Sequence, residues 1–406
     1  MVGGGPAGLA AAEALARSGL SVVVHDRMRV VGRKFVMAGR GGLNLTNDEP
    51  LDVFLSRYGD ADLVVDAVRG YPPSALRAWA ASLGEPTFVG TSRRVFPGSM
   101  STTPLLRAWL QRLHEYGVRF ERVDVVGVEV VDGVEVGRRA AVRIRTDGHP
   151  EPAGLDYDAV VLAMGGASWP RLGADGAWVK ALRGQGVAVE ALVASNCGIV
   201  TAWPAGFAER FAGEPLKNIE VTVADRVVRG EAMVTVDGLE GGVIYALGRE
   251  VRRALASTGS VELSVDLRPD VSLDDLTHRF ARSKTSESLS NRLRKVGLTP
   301  VGAALVRNSL GPAERDPNSV AMAVKSLKLI ATGTVTVERA ISSAGGIALG
   351  ELDDRFMLRR LPGVFAAGEM LDWDAPTGGY LLQACFATGV AAAEGAVTWL
   401  AEQLRG

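Results

Sequence analysis

The sequence predicts an α/β fold in which a parallel sheet is interrupted along the chain by an antiparallel β domain and a small helical subdomain. A glycine-rich turn at residues 3–8 is followed by an alanine-rich helix and a valine-rich strand. Two further apolar segments, residues 159–164 and 364–367, are typical of buried parallel strands. Between them, residues 219–223 and 261–267 alternate apolar and polar side chains, which is typical of antiparallel strands with one buried face.

Length and composition indicate a soluble protein of two or three domains. The chain has 406 residues, of which 47% are apolar and 22% charged, and a domain holds on the order of 150 residues. The 45 basic and 46 acidic residues give a net charge of −1. This balance gives no electrostatic reason to expect nucleic acid or an anionic membrane as a partner, so we expect a small-molecule substrate. The composition does not indicate the oligomeric state.

Cysteine and histidine usage argues against a metal centre. The two cysteines, Cys197 and Cys385, lie far apart and form no CxxC pattern, which excludes a disulfide framework and fits a reducing cytoplasm. The four histidines are too scattered for a metal motif. No run of about 18 uninterrupted apolar residues occurs, so we expect no membrane span.

Residues 3–8 have the pattern G-x-G-x-x-G, which is a weak signal by itself in a chain with 49 glycines. The stretch that follows, to Leu20, predicts a helix with Glu13 and Arg17 as an outward-facing i,i+4 ion pair. Residues 21–26 then predict a buried parallel strand. The complete unit is typical of a Rossmann dinucleotide-binding domain, and the alternative is a glycine-rich turn of any α/β protein.

The candidate dinucleotide site begins at this turn. The glycines let the backbone approach a pyrophosphate, and the helix N-terminus supplies unpaired N–H groups with a partial positive charge. Asp26, about 20 residues later, can accept the ribose hydroxyls of an adenosine, whereas His25 is interpreted as a strand residue. The candidate residues of the turn are Gly3, Gly5, Pro6, Ala7 and Gly8.

The first strand is the weak point of this prediction. Only Met1 and Val2 precede Gly3, whereas a strand of typical length has about five residues. Either the true start of the protein lies upstream of Met1, or the central strand is short and the fold is less secure.

Three later segments favour FAD over NAD as the dinucleotide. Residues 156–166 predict a buried strand that ends in a glycine pair and returns the chain to the cofactor. Residues 362–369 predict another buried strand, which ends in a carboxylate that can bind the ribityl hydroxyls. Residues 377–383 predict the start of a helix whose N–H groups can face the flavin pyrimidine ring. Each alone also fits a plain core element, and their order along the chain is what favours FAD. The candidates are Gly165, Gly166, Gly368, Glu369, Gly378, Gly379, Tyr380 and Leu381.

Basic residues near the turn supply further candidates. Arg33 and Lys34 can neutralise the pyrophosphate, or they form a solvated pair. Arg27, directly after Asp26, and Val126 complete the cofactor-binding set. No second G-x-G-x-x-G follows a strand, so NAD(P)H is expected only as a transient reductant.

The loop that follows Lys34 is rich in glycine. Gly39 and Gly42 would let the backbone pass close to a flat ring, and Asn44 and Thr46 can hydrogen-bond to such a ring. The alternative is a plain flexible loop.

The middle of the chain does not continue the α/β pattern. We expect a discontinuous dinucleotide-binding domain at residues 1–188 and 331–406, an inserted β-rich substrate domain at residues 189–270 and 311–330, and a helical subdomain at residues 271–310. The helical stretch is basic, but its interleaved acids favour a solvated face over a nucleic-acid surface.

Three aromatic side chains are candidates for the substrate side of the flavin, since ligand sites favour domain interfaces. Each also fits simple packing, and the sequence names no general acid or base. The three are Tyr245, Trp373 and Tyr380.

Several longer motifs together resemble the BaiN/YhiN-like bacterial flavoproteins, also called the aminoacetone-oxidase family of FAD-binding enzymes. The resemblance covers nearly the whole chain, and its second and last motifs are long and specific. Besides the N-terminal turn, the motifs are GRKFVMAGRGGLNLTN (32–47), MGGASWPRLGADG (164–176), GEAMVTVDGLEGG (230–242), RAISSAGGIAL (339–349) and GVFAAGEMLDWDAPTGGYLLQACFATG (363–389).

The resemblance implies a discontinuous Rossmann-type FAD domain with an inserted substrate domain. It also implies that FAD is held by Gly3, Gly5, Gly8 and Asp26, with Gly368 and Glu369 closing on the ribityl chain. Many members read SGGGRCN where this chain reads AGRGGLN, so the Arg and Cys of the family are replaced by Gly42 and Leu43. Chemistry attached to that Cys cannot be carried over to this divergent subgroup.

The leading functional hypothesis is an FAD-dependent oxidoreductase of unknown substrate. NAD(P)H or an organic substrate would reduce the flavin by hydride transfer at N5. The alternatives are a flavin-binding redox-regulatory protein without turnover and a flavin-dependent RNA-modifying enzyme, against which the near-zero net charge counts.

Overall fold

The chain divides into two compact units in a computed structural model that describes residues 1–38, 42–131, 141–147, 155–283, 287–311 and 313–405. The first unit comprises Met1–Val193 and Ser342–Gly406, and the second comprises Ala194–Ile341. The first unit thus ends at Val193 instead of the expected residue 188, and it resumes at Ser342 instead of residue 331. The helical stretch at 271–310 falls within the second unit and does not separate from it.

The first segment of the α/β unit alternates helices with short strands. Its elements are α1 (Pro6–Arg17), β1 (Val23–Asp26), α2 (Arg33–Ala38), β2 (Thr46–Asn47), α3 (Leu51–Ser56), α4 (Asp62–Gly70), α5 (Pro73–Ser82), β3 (Thr87–Val89), β4 (Arg94–Pro97), α6 (Thr102–Glu115), β5 (Arg119–Arg122), β6 (Val125–Val131), β7 (Ala141–Thr146), β8 (Leu155–Tyr157), β9 (Val160–Leu162), α7 (Trp178–Gly184) and β10 (Val189–Ser195).

The second unit combines antiparallel strands with helices, and the chain then returns to the α/β unit. The elements of the second unit are β11 (Ile199–Thr201), α8 (Phe207–Phe211), β12 (Pro215–Val223), β13 (Arg226–Val234), β14 (Gly238–Glu240), α9 (Gly242–Ala246), α10 (Gly248–Thr258), β15 (Val261–Asp266), α11 (Leu273–Ala281), α12 (Leu289–Lys295), α13 (Pro300–Ser309), α14 (Pro317–Lys325) and β16 (Leu327–Thr334). The returning elements are β17 (Ser342–Ile347), β18 (Val364–Ala366) and α15 (Tyr380–Arg405).

A parallel sheet forms the centre of the α/β unit. β1 pairs with β5, β9 pairs with β18, and Val2 forms parallel bridges to both His25 and Leu162. The order across the sheet is therefore β5, β1, Val2, β9, β18, which is the order of a Rossmann sheet around its first strand. Val2 thus occupies the central position of the sheet. The backbone hydrogen bonds at this position run from Gly3 N–H to the His25 carbonyl (2.8 Å), from His25 N–H to the Met1 carbonyl (2.9 Å), from Val2 N–H to the Val161 carbonyl (2.9 Å) and from Ala163 N–H to the Val2 carbonyl (2.7 Å).

The predicted helix after the glycine turn is α1, but Glu13 faces inward. The residue is 5% exposed, and its carboxylate accepts hydrogen bonds from the indoles of Trp79 (3.0 Å) and Trp109 (2.7 Å). Arg112 also donates to it at 3.2 Å. The predicted surface ion pair with Arg17 is therefore wrong. A buried carboxylate needs partners, and two indoles and a guanidinium supply them.

Within the described part of the second unit, the strands close into an antiparallel barrel in the order β11, β14, β13, β12, β15, β16. The alternating apolar residues predicted at 219–223 and 261–267 are buried and form its core with one face of each strand. Helices α11 to α14 contribute further apolar side chains to that core, among them Leu276, Phe280 and Leu293.

By length and composition alone, α15 could cross a membrane, although the sequence predicts no such span. Within the α/β unit, 61% of its most apolar window is buried. Gly389 lies so close to α1 that a Cβ there would be 2.3 Å from the Ala7 carbonyl oxygen. Because small residues let the two backbones approach, α15 packs as a core helix of this unit.

Candidate functional site

A cleft lies in the α/β unit where the parallel strands end, the usual ligand position in such sheets. The space inside it, including its open mouth, is about 970 Å³. Its lining comes from the turn after Val2, the ends of β1, β9 and β18, the start of α2 and the loop before α7. Besides the predicted glycines Gly165 and Gly368, the lining residues with functional side chains include Asp26, Arg27, Arg33, Lys34, Asp175 and Glu369.

The three glycines of the N-terminal motif have different surroundings. A Cβ at Gly3, where φ is +101°, would lie 2.2 Å from the Ala163 carbonyl oxygen, and one at Gly8 would lie 1.9 Å from the Gly3 carbonyl oxygen. A Cβ at Gly5 would meet nothing within 4 Å. Gly3 thus permits the tight turn, Gly8 permits close packing of helix and strand, and Gly5 leaves the backbone open for a ligand. These are the three roles of the glycines in a dinucleotide-binding turn.

The N-terminus of α1 is built to receive an anion. Its N-cap, Gly5, has no side chain that could accept from the first N–H groups. Pro6, which has no backbone N–H, lies in the first helical turn, where an N–H would have no partner within the helix. Gly5, Pro6 and Ala7 line the cleft. The free N–H groups of a helix start carry partial positive charge and bind phosphate oxygens. The turn therefore fits the diphosphate of a dinucleotide.

Asp26 closes the same end of the cleft. Its Oδ2 accepts the Gly4 N–H at 2.6 Å, and its Oδ1 accepts the Met28 N–H at 2.7 Å. These bonds fix the carboxylate between the glycine turn and the end of β1. Because each carboxylate oxygen can accept a second hydrogen bond, Asp26 can also accept from ribose hydroxyls, as the sequence suggests.

Lys34 and Glu369 lie together on the opposite side of the cleft. The Lys34 ammonium donates to Glu369 Oε2 at 2.5 Å and to Ser168 Oγ at 2.7 Å. Lys34 thus pairs with a carboxylate instead of being free for the pyrophosphate that the sequence assigns to it. Arg33 lines the cleft and is exposed, which leaves it as the basic side chain available to the diphosphate.

An ion pair bridges two parts of the cleft rim. Arg27 at the end of β1 donates to Asp175 Oδ2 at 2.7 Å, and both side chains are about one-third exposed. Met28 supports the same loop, since a Cβ at Gly173 would be 3.1 Å from its side chain. Sequence reasoning selects Arg27 but misses Met28, Ser168 and Asp175. The long motif at residues 164–176 contains two of these and was the available signal.

His25 and Cys385 are titratable groups that also line the cleft. Burial lowers the pKa of His25, whose Nε2 lies 2.6 Å from the Tyr157 hydroxyl. Burial, and secondly the negative charge of Glu369, raises the pKa of the Cys385 thiol. Both groups are therefore neutral near pH 7, and the charge that lines the cleft comes from its acidic and basic residues, Asp26, Asp175, Glu369, Arg27, Arg33 and Lys34.

Gly378 and Gly379, before α15, lie against the segment that contains Asn44 and Thr46. A Cβ at Gly379 would be 2.4 Å from the Thr46 backbone, and the Gly378 carbonyl accepts a hydrogen bond from Asn47 at 3.2 Å. The structure thus brings the glycine loop and the start of α15 together. The side-chain oxygens of Asn44 and Asn47 are buried without a partner among the described residues, and such acceptors suit a ligand donor.

The remaining cofactor candidates lie outside the cleft lining. A Cβ at Gly166 would overlap Ser343 Oγ, and one at Gly42 would be 2.9 Å from Met100 Cε, so both permit close packing. Val126 is exposed and borders a small neighbouring hollow. Leu381 packs against the core at the start of α15. Gly39 lies outside the described residues.

Two of the three substrate-side candidates, Trp373 and Tyr380, lie in the α/β unit, and Tyr245 lies in the second unit. Trp373 is buried and donates from Nε1 to the Gly368 carbonyl at 2.8 Å. Tyr380 is buried and donates to Glu49 Oε2 at 2.8 Å. Tyr245 belongs to the second unit, where burial raises its pKa. Trp373 and Tyr380 therefore position neighbouring backbone and side chains of the α/β unit.

In the part of the chain that the structure describes, no group of three or more His, Cys, Asp or Glu side chains could hold a metal ion. The features of the cleft that fit a dinucleotide are the open backbone at Gly5, the N-terminus of α1 and the carboxylates of Asp26 and Glu369.

Comparison with known proteins identifies relatives along the whole chain. A 3-dehydro-bile acid delta(4,6)-reductase from Clostridium scindens is 26% identical over 420 residues, covering 98% of this chain and 98% of its own. A ribosomal RNA dihydrouridine synthase from Haemophilus influenzae is 22% identical over 406 residues, covering 97% of this chain and 96% of its own.

Solved structures share the fold. E. coli quinol fumarate reductase FrdA has a TM-score of 0.51 at 15% identity, covering 98% of this chain and 69% of its own. The 3-ketosteroid delta1-dehydrogenase from Sterolibacterium denitrificans has a TM-score of 0.51 at 13% identity, covering 99% and 98%. The proteins to which the chain is similar thus include reductases and a dehydrogenase. The Rossmann-domain model of the HI0933-like protein family matches residues 1–395, and the chain therefore belongs to that family.

Proposed function

We propose that the protein binds FAD in the cleft of the α/β unit and reduces a carbon–carbon double bond conjugated to a carbonyl group in a small molecule. The observation that supports the cofactor is the glycine turn, in which Gly3 and Gly8 are packed while the Cβ position of Gly5 is open. Open backbone at that position is what a bound diphosphate requires.

In this proposal the residues of the cleft hold the cofactor through position and charge. The α1 N-terminus and Arg33 face the diphosphate, Asp26 accepts from the ribose hydroxyls, and Glu369 accepts from the ribityl chain. Once bound and reduced by two electrons from NAD(P)H, the flavin would supply a hydride to the double bond, and solvent would supply the proton that completes the reduction.

The substrate class rests on what the names of the two curated relatives have in common. A 3-dehydro bile acid with double bonds at positions 4 and 6 carries them in conjugation with its ketone. Dihydrouridine is uridine with the double bond next to a ring carbonyl saturated. Each relative aligns with nearly the whole chain, so their shared bond type supports a conjugated alkene as substrate. NAD(P)H is the reductant that we propose.

RNA is the second candidate substrate, because the Haemophilus influenzae relative is named for it. The basic helical stretch of the second unit would be its contact surface, yet two of its cations have partners. The Arg292 guanidinium lies 5.6 Å from the centre of the Phe280 ring, and Lys295 pairs with Glu287 at 2.7 Å. With a net charge of −1, these contacts favour the small molecule.

The test begins with purified protein and its absorbance near 450 nm, where oxidised flavins absorb. We expect bound FAD, bleached anaerobically by NADH or NADPH, and reoxidised on addition of a 4-en-3-one steroid but not of uridine-containing ribosomal RNA. Mass spectrometry of the steroid should show a gain of two hydrogens.

Protein without affinity for added FAD would remove the cofactor proposal. Bound FAD that no nicotinamide or organic reductant bleaches would contradict the proposed enzymatic activity. Reoxidation by RNA, with binding that weakens as salt increases, would replace the small molecule with the second candidate.

A further inference from the structure

The geometry points to Lys34 as a positioning residue that acts on FAD through Glu369 instead of through the diphosphate. This inference rests on the proposed binding of FAD in the cleft. It gives Lys34 a different role from Arg33, its neighbour in the chain, although both side chains line the same cleft.

Three distant chain segments meet at the Lys34 ammonium. Lys34 lies in the first turn of α2, Ser168 follows β9, and Glu369 follows β18. The Lys34 ammonium bonds both oxygens, at 2.7 Å to Ser168 and 2.5 Å to Glu369. An ammonium has three donors, and two of them are used in these contacts.

The Glu369 turn is otherwise fixed through its backbone. The Gly368 N–H donates to Thr388 Oγ1 at 3.0 Å, and the Gly368 carbonyl accepts from the Trp373 indole at 2.8 Å. The turn is therefore rigid, but neither bond holds the Glu369 carboxylate. Among the described residues, Lys34 is the cation that pairs with that carboxylate.

Charge explains why the carboxylate needs this partner. The side chain of Glu369 is only 13% exposed, and an ionised carboxylate at such a site is costly unless it is paired. A bound diphosphate in the same cleft would repel it further. Lys34 offsets that repulsion and keeps the carboxylate where it can accept hydroxyl groups of the cofactor. Arg33 is exposed and pairs with no acid among the described residues, so its charge is free for the diphosphate.

The experiment measures the FAD dissociation constant of the apoprotein by flavin fluorescence in two mutant cycles. One cycle combines Lys34→Met with Glu369→Gln, and the matched control combines Arg33→Met with Glu369→Gln. Glutamine keeps an oxygen that accepts from Lys34 but carries no charge. We expect Lys34→Met to weaken FAD binding roughly 30-fold in the wild type and less than about 3-fold in the Glu369→Gln background. Arg33→Met should weaken binding by the same factor in both backgrounds.

An equal loss of FAD affinity from Lys34→Met in both backgrounds would overturn the inference. It would indicate that Lys34 acts directly on the diphosphate. If Lys34→Met alone does not fold, because Glu369 is left unpaired, the comparison of Glu369→Gln with the double variant still decides the question. A loss above about 10-fold in that comparison would contradict it. Wild-type apoprotein that does not bind FAD would refute the proposed function instead, before either cycle begins.

Discussion

Two glycine-rich turns precede the helices α1 and α15 of the α/β unit, and their surroundings differ. At the first turn the Cβ position of Gly5 has nothing within 4 Å, and the turn opens onto the cleft. At the second, Gly379 lies against the Thr46 backbone, and Gly378 is bonded by Asn47. One glycine of the first turn leaves space that a ligand can occupy, whereas the glycines of the second turn admit another part of the same chain.

The difference matters because both turns have the same appearance in sequence and precede helices whose N-termini can face a cofactor. A glycine can be required by a positive φ, by a close protein neighbour or by a ligand, and only the last marks a binding residue. Substitutions that add a single group distinguish these reasons. A residue required by the protein should affect stability, and a residue required by a ligand should affect binding.

Gly379→Ala is expected to have the largest effect on the fold. The new Cβ would lie within about 2.5 Å of Thr46 backbone atoms, at a φ of +102°. We expect the free energy of unfolding of the apoprotein to fall by roughly 3 kcal/mol, measured by urea denaturation. Gly5→Ala is the matched control and should change it by less than about 0.5 kcal/mol. Equal stability of the two variants would contradict the packed character of the second turn.

Gly5→Val should affect binding and leave the fold intact. The backbone at Gly5 is extended, with φ −81° and ψ −178°, so a branched residue is tolerated there. The added methyl groups would occupy the space next to the α1 N-terminus, and we expect FAD to bind about 100-fold more weakly. Isothermal titration and apoprotein unfolding measure the two effects separately. A variant that binds FAD normally would show that the open side of the first turn is not the cofactor side.

Glu49→Gln should have the smallest effect, and the effect should depend on pH. Burial opposes ionisation of Glu49, but hydrogen bonds from Arg57 and Tyr380 outweigh it and lower its pKa below the ordinary 4.5. A carboxyl with a lowered folded pKa stabilises the protein above about pH 4.5, and this contribution is lost as pH falls through the folded pKa.

The expected loss in Glu49→Gln is about 0.5–1 kcal/mol at pH 7, since Glu49 and Arg57 are partly exposed. Urea unfolding at pH 7 and pH 3 should show the difference between wild type and variant shrinking at the lower pH. A difference that grows at pH 3 would mean that the acid does not stabilise the start of α15 through its charge.

Much of the fold could be predicted because its signals are local. Alternation identifies the strands later found in the barrel, and the turn–helix–strand unit is read from glycine, alanine and valine positions. Closure of the barrel could not be predicted, because it depends on pairing β11 with the distant β16, where Ile199 lies opposite Thr334. The predicted pairing of Glu13 with Arg17 is wrong for the same reason. The i,i+4 spacing points to Arg17, but the indoles that donate to Glu13 lie 66 and 96 residues away along the chain.

The sequence by itself determined the Rossmann-type unit, the glycine turn at residues 3–8 and the antiparallel insertion, because each depends on residues within one or two elements. Tertiary structure alone decided which glycines face open space, that Trp373 and Tyr380 are buried, and that Lys34 pairs with Glu369 across 335 residues. The physical reason is that burial and charge pairing are set by which segments pack together. A side chain's role at the cleft follows from the neighbours that packing gives it.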